Sequence, residues 1–446
     1  MPQGDPGNAG NPFQSLLGDL LNVLGSSGAP DQWTMTRSFA VNVATGGEPE
    51  PNVEPVLRIQ LEQLARVAEL NVIEATGLPV APDGRRLTCV AVGRSDWTMR
   101  ALDSWRPILS AMAGPSSRTP GEPAAATDVS SVDDVDELSG LLGQWANVIG
   151  PLFFGLQVGS VVGHLAQRAL GQYPLALPWA PSDELLVAPA NIAAFARDWS
   201  LPEEEALLWV CARELASNAV LTRPAVRSRI LDQVTNLANS SAAAQVDLAD
   251  RLGGMFGQAG LEGGTGTDLE SIQGMFGDPE QLLGELLTPE SRRTSEELTS
   301  LAVVVDAYAD HIADVVGRKL VSSSGQLAEA WYRRRIERGK GEEAAGALFG
   351  LDLDRAQVDR GRAFVAGVLD RSGDDGLGRL WSSARTLPTP SEVDAPGLWL
   401  ERISLPDLDN EGGGDGEDGA GGAGGDEGRG EAGGTGSAGP KGPPAA

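Results

Sequence analysis

Histidine and cysteine are scarce. The 446 residues contain two of each: His164, His311, Cys89 and Cys211. Two cysteines without a Cys-x-x-Cys pair give no disulfide framework, so both read as reduced, buried thiols. Two histidines leave few ways to build a Ser-His-Asp triad, and no Gly-x-Ser-x-Gly elbow accompanies them. Each histidine reads as a hydrogen-bonded structural residue rather than a metal ligand. Cations are also short: 34 Lys and Arg stand against 62 Asp and Glu, a net charge of −28. That balance argues against nucleic acid or anionic membrane as a partner, because neutralising phosphates takes clustered Lys and Arg. Long apolar runs are missing too. The richest, Val148–Ala166, is interrupted by Pro151, Gln157 and His164 and falls short of the ~20 residues a membrane span needs. No phosphate-binding Gly-x-x-x-x-Gly-Lys-Ser/Thr is present. No secretory leader is legible, so the expected location is cytoplasmic.

What the chain does have is helical periodicity. Hydrophobic residues make up 41 %, with ten Trp against three Tyr, which points to aromatic area buried rather than displayed. Helices are predicted over Asp31–Thr45, Val53–Glu74, Ser95–Met112 from a Ser/Asp cap, Asn191–Asp198, Thr222 to about Asn239, Ala242–Leu252, Thr294–Leu320, Leu327–Arg338, Glu342–Leu348, Leu353–Asp370 and Gly376–Ser383. Val132–Gln172 reads as a buried helix interrupted near Pro151, with Gly155, Gly159 and Gly163 four apart for close helix approach. Only Leu87–Val92 and Leu185–Ala188 read as strands. The fold class is therefore mainly α, a multi-helix body with a few short strands. The expected organisation is a flexible arm at 1–28 with a short amphipathic helix, a helical region and linker at 29–127, the principal helical domain at 128–403, and a disordered acidic, Gly-rich tail at 404–446.

One helix, Ser200 to about Leu221, organises the rest. Ser200 and Glu203 have the spacing of a capping box, and Pro202 suits the first turn. Ala206, Trp209, Val210, Arg213 and Ser217 fall on one face. An apolar stripe that turns into arginine and serine needs a reason.

The segment Arg213-Glu214-Leu215-Ala216-Ser217 lies where a zincin carries His-Glu-x-x-His, two histidines one turn apart on a zinc ion with a glutamate that activates water. Its flanks Trp209-Val210 and Ala219-Val220, together with Gly171-Gln172-Tyr173, Pro189-Ala190-Asn191-Ile192 and Leu387-Pro388-Thr389-Pro390-Ser391-Glu392, resemble a bacterial zincin-like family of suspected hydrolases and zinc-dependent metalloproteases. The likeness runs from about residue 130 to 403. It implies a zincin-like body, zinc as the family's cofactor, Glu214 at the general-base position, and a third ligand at Asp306 in the segment Asp306-Ala307-Tyr308-Ala309-Asp310.

The residues at these positions depart from that pattern. Arg213 offers five N–H donors and no lone pair, and it stays protonated. A neutral Ser217 hydroxyl is a poor substitute for imidazole, and Asp306 is a methylene shorter than glutamate. No zinc or other cofactor is expected, and Glu214 is read as a vestigial base. In place of a metal, Arg213 is expected to pair with Glu214, Asp306 or Asp310; the bland alternative has it snorkelling to solvent. Arg333-Arg334-Arg335 reads as a solvated or ion-paired helix face, and Leu387–Glu392 as a Pro-fixed turn before a cap. Three functions follow: a zincin-like protein that has lost catalysis and binds an unknown protein or peptide partner in the inherited cleft, an active hydrolase with an unorthodox ligand set, or a structural cytoplasmic scaffold.

Overall fold

The computed structural model describes residues 32–81, 84–113, 154–240 and 288–405. Expectations for the arm, the 114–153 stretch with its interruption at Pro151, the Ala242–Leu252 helix and the acidic tail lie outside them. The described elements, in order, are α1 (Gln32–Thr45), α2 (Pro55–Thr76), β1 (Thr88–Ala91), α3 (Arg94–Met112), α4 (154–168), β2 (Glu184–Val187), α5 (Pro189–Asp198), α6 (Glu203–Leu221), α7 (224–240), α8 (Pro289–Leu320), α9 (Ser324–Ile336), α10 (Lys340–Leu348), α11 (Arg355–Gly378), α12 (Pro390–Asp394) and α13 (Pro396–Ser404). Nearly all of the structure among these residues is helical, with β1 and β2 the strands.

Helix α6 is the axis of the molecule. Every residue from Ala206 to Leu221 is buried, so the helix is enclosed on all sides rather than along one face. Ala, Leu and Val supply both high helix propensity and apolar surface. It packs between α8 and α2, with α5 on a further side. Its start differs from the sequence expectation. Ser200 has φ 54° and makes no cap; Pro202 is the N-cap residue, with no side-chain hydrogen bond there. Three glutamates in the first turn, Glu203, Glu204 and Glu205, face the positive end of the helix dipole instead. Glu205 also accepts hydrogen bonds from Ser322 and Ser323, which hold its carboxyl down at about 2.

The strands pair in parallel, Thr88 opposite Glu184 and Ala91 opposite Val187. Parallel pairing demands a long crossover, and here the strand from the 29–127 region meets one from 128–403. The sheet edge continues through an isolated bridge from Gly171 to Val187. Helix α3 also starts differently from the expected Ser/Asp cap. Its N-cap is Gly93, and the two oxygens of Glu50 accept from the backbone N–H groups of Arg94 and Ser95. A carboxylate 44 residues upstream thus does what a local cap would do.

Aromatic side chains tie α3 to the segment before β2 and to the end of α10. Trp97, Trp105 and Trp179 meet edge to face with centroids 5.4–6.2 Å apart, and Phe349 joins at 5.2 Å. Trp97 Nε1 also donates to the Gly171 carbonyl at 2.8 Å. Truncating a fully buried tryptophan of this kind costs about 3–5 kcal/mol. Gly159 and Gly163 on α4 lie against Thr36, Ala40 and Val43 of α1, where added methyl groups would meet backbone at 3.0 Å and 2.6 Å. Cys211 is buried, whereas Cys89 is half-buried; burial, then Glu69 and Glu214, push the Cys89 thiol up to about 12. No helix among the described residues is long and apolar enough to cross a membrane.

Candidate functional site

The site forms where α6, α8 and α9 converge on the loop at 171–174. Helix α6 contributes Arg213, Glu214 and Ser217, and α8 contributes Asp306 and Asp310, one turn apart on one face. Helix α9 adds Trp331 and Arg335. The arginine side chain of residue 213 is 2 % exposed, which removes the snorkelling alternative.

Its bonds account for the burial. Arg213 Nε donates to Asp310 Oδ1 at 2.9 Å, Nη2 to Asp306 Oδ1 at 2.8 Å, and Nη1 to Glu214 Oε1 and the Tyr173 carbonyl, both at 3.2 Å. Trp331 covers the guanidinium face with its ring centroid 4.6 Å from Cζ. Arg335 closes the arrangement from the other side, Nη1 to Asp310 Oδ2 and Nη2 to Asp306 Oδ2, each at 2.9 Å. Each aspartate therefore has one oxygen on each arginine. Burial works against the Arg213 charge, but Asp310, Asp306 and Glu214 outweigh it and hold the proton more firmly than usual. Burial likewise raises Asp310, yet Arg335 and then Arg213 bring its carboxyl below the ordinary carboxylate range.

Glu214 is held differently. Its Oε2 accepts the Tyr173 backbone N–H at 2.8 Å, and its Oε1 faces Arg213. Burial raises its carboxyl above the ordinary range, and Arg213 only partly offsets this. Gly171 makes the close approach possible, since a Cβ there would stand 2.4 Å from the Glu214 carboxyl carbon. The rest of that loop is fastened around α6. Tyr173 OH donates to Asn218 Oδ1 at 2.7 Å and accepts from Gln172 Nε2 at 3.1 Å. Asn191 at the start of α5 donates to the Ala166 and Ala169 carbonyls at 2.9 and 2.7 Å and fixes the entry to it. The Leu387–Glu392 turn lies elsewhere: Thr389 and Glu392 cap α12, and Trp399 Nε1 donates to the Thr386 carbonyl at 2.7 Å.

As arranged, these groups do not fit a zinc ion. Zinc needs lone pairs from imidazole, thiolate or carboxylate at about 2.0–2.3 Å. Arg213 supplies a positive charge and donors only, both Asp306 oxygens are already engaged by guanidinium groups, and the Ser217 hydroxyl is buried with no hydrogen-bond partner among the described residues. Neither histidine is in the constellation. His164 is exposed, with Nδ1 2.8 Å from the Ser160 carbonyl oxygen. His311 lines an adjoining cavity of about 150 Å³ with Trp209 and Asp314, to which Asp310 and Trp331 of the network also contribute, but it bonds to none of the network's groups among the described residues. No cluster of three His, Cys, Asp or Glu placed to hold a metal occurs among the described residues.

Sequence reasoning missed Arg335 and Trp331. The run Arg333–Arg335 divides its duties: Arg333 pairs with Glu329 at 2.6 Å on the surface, Arg335 enters the buried network, and Arg334 stands between them. The spacing of Asp306 and Asp310, matching a basic run on the following helix, was the available signal.

The space beside Glu214 is a cavity of about 50 Å³. Its walls include Gly171, Tyr173, Asp306, Trp331 and, toward the surface, Arg168, Arg334 and Arg338.

Comparisons with known proteins agree with this architecture. A crystal structure from Chloroflexus aurantiacus, described as that of a suspected hydrolase with a novel fold, superposes with a TM-score of 0.55 over 84 % of this chain and 99 % of that one, at 21 % identity. At that identity the likeness speaks for the fold alone. Comparison with curated proteins returned no match. The family description that matches is zincin-like metallopeptidase, over residues 32–400, nearly the whole described body, and the chain belongs to that family.

Proposed function

We propose that this protein is a zincin-like metallopeptidase relative that has exchanged zinc chemistry for a fixed guanidinium–carboxylate lock and acts by binding a peptide or protein partner. The observation that carries this reading is Arg213, 2 % exposed and bonded to Asp306, Asp310 and Glu214. A guanidinium bridging two carboxylates can supply charge that a dication would otherwise bring. It cannot act as a Lewis acid, because it has no vacant coordination site. Glu214, engaged on both oxygens, is poorly placed to activate water.

Elemental analysis of protein purified from zinc-supplemented culture tests this, alongside turnover of a quenched-fluorescence peptide mixture. Sub-stoichiometric zinc and turnover no greater than that of Glu214→Gln are expected. Stoichiometric zinc that disappears in Glu214→Ala or Asp306→Ala, with peptide cleavage that disappears alongside it, would restore the active-hydrolase reading.

A scaffold reading is favoured by one observation. The cavity beside Glu214, about 50 Å³, holds a water or two but not a peptide backbone. A partner would therefore engage the mouth of the cleft rather than its floor. Peptide-array binding separates the two: no peptide retained by the full chain at low ionic strength leaves the scaffold. The net charge of −28 supports a partner other than nucleic acid or anionic membrane.

A further inference from the structure

The mouth of the cavity holds a surplus of cations in a strongly acidic chain. Arg168 at the end of α4, Arg334 on α9, Arg338 just beyond it and Glu342 line the cavity together with Glu214, Asp306 and Arg335 of the inner network. Arg168 Nε lies 3.1 Å from Glu342 Oε2, and that same oxygen accepts the Gly339 backbone N–H at 2.9 Å. Arg338 Nη2 reaches only the Glu342 carbonyl, at 3.2 Å. Arg334 donates to the Arg168 carbonyl and stacks 5.5 Å from the Phe195 ring, and it makes no ion pair among the described residues. Burial, then Arg168, lower its guanidinium to about 10. Burial also lowers Arg338. Arg335 brings no spare charge, because Asp306 and Asp310 occupy it. Of these three guanidinium groups only Arg168 has a carboxylate partner among the described residues, so Arg334 and Arg338 leave room for a second anion.

We propose that the mouth formed by Arg168, Arg334 and Arg338 is a carboxylate-binding site. It would take a monocarboxylate with an apolar neighbour, as at the C-terminal residue of a peptide or in a free carboxylic acid. The acid is specified by the guanidinium forks, which match a planar carboxylate in two-point contact. The apolar neighbour is specified by Trp331, Leu353 and Val358, which share the lining. The room of about 50 Å³ admits a headgroup and little more, so the remainder of a ligand lies outside. This inference rests on the binding reading above and names the ligand class for the same cleft.

Thermal melts of the full chain at low ionic strength test it, with four probes: N-acetyl-leucine, N-acetyl-leucinamide, a leucine-terminated N-acetyl tripeptide with a free C-terminus, and inorganic phosphate. The two free acids at millimolar concentration are expected to raise the Tm by about 2 °C or more, and the amide not at all. In Arg334→Met that rise disappears; if this variant does not fold, the acid–amide contrast in the parent chain decides, with Arg338→Gln as a second variant. A rise with N-acetyl-leucine but not the tripeptide supports the site and makes a free acid its ligand. An equal response to acid and amide, a response to phosphate alone, no response, or full retention of the rise in Arg334→Met overturns the proposal. Metal content and peptide turnover are read on the same preparation. A zinc-loaded, active protein sinks the function reading, whereas a metal-free, inactive one without acid discrimination sinks only this site.

Discussion

Two groups of charges sit one residue apart along α9, and they are built on opposite terms. Inside, Arg335 and Arg213 meet Asp306, Asp310 and Glu214, and each aspartate is bonded by both arginines. Outside, Arg168 pairs with Glu342, Arg338 reaches only that residue's carbonyl, and Arg334 has no ion pair among the described residues. Buried charge is tolerable when every donor and acceptor is matched and costly when one partner is missing. The inner group is closed on itself and has little capacity for a ligand. The outer group has unsatisfied charge near solvent, which is where affinity for an anion can come from.

The same contrast recurs along α8. Asp310 lies against Arg335 and Arg213 and is depressed despite its burial. Asp314, one turn on, accepts among the described residues from Trp209 Nε1 alone, at 3.3 Å; burial, then the neighbouring Asp310, push its carboxyl up to about 6.

Breaking the inner group should have the largest effect. Arg213→Ala leaves buried carboxylates uncompensated and is expected to cost about 3–5 kcal/mol, read as a fall in chemical-denaturation midpoint. An unchanged midpoint would dismiss the lock. Asp306→Asn keeps the volume but removes the charge between the two arginines, and about 2–3 kcal/mol is expected from the same measurement.

Proton linkage sharpens the comparison further. Asp310, depressed in the fold, stabilises the protein above its unfolded pKa, and that contribution is lost as pH falls through the lowered folded value. Asp314 has the opposite sign. Its contribution is complete below the unfolded value near 3.8 and disappears as pH rises through about 6. Asp314→Asn should therefore flatten the decline in Tm between about pH 4 and 7 and raise the Tm at neutral pH. A parallel pH profile in the variant would count against this assignment. The smallest effect belongs to Ser217→Ala. Its hydroxyl has no partner among the described residues, so removal should be neutral or stabilising by up to about 1 kcal/mol.

Much of the helical body was legible because apolar residues recur at helical spacing over long stretches. Predicted and observed ends for α1, α2, α3 and α9 differ by at most three residues, close to ordinary helix-end variation. What stayed hidden was contact between distant segments. Ser200 and Glu203 have the spacing of a cap, but the backbone at Ser200 enters the left-handed region. No local rule points to Glu50 as the cap of α3. In the site, Arg213, Asp306 and Asp310 could be aligned through the resemblance, whereas Arg335 sits 25 residues from Asp310 in a run that reads as a solvated or ion-paired helix face with no partner specified. Helix periodicity shows which residues share a face, but not which other helix that face meets.

Gly171 bears on any attempt to turn the chain into a working peptidase. Its bare backbone lets the strap before Tyr173 lie flat on Glu214, and Trp97 anchors that strap from behind. Installing histidines at 213 and 217 would restore two nitrogen donors yet leave the glutamate pinned beneath a peptide group. Reversion of the motif is therefore insufficient by itself: the carboxylate oxygen held by the Tyr173 N–H would have to be released before it could take a proton from water.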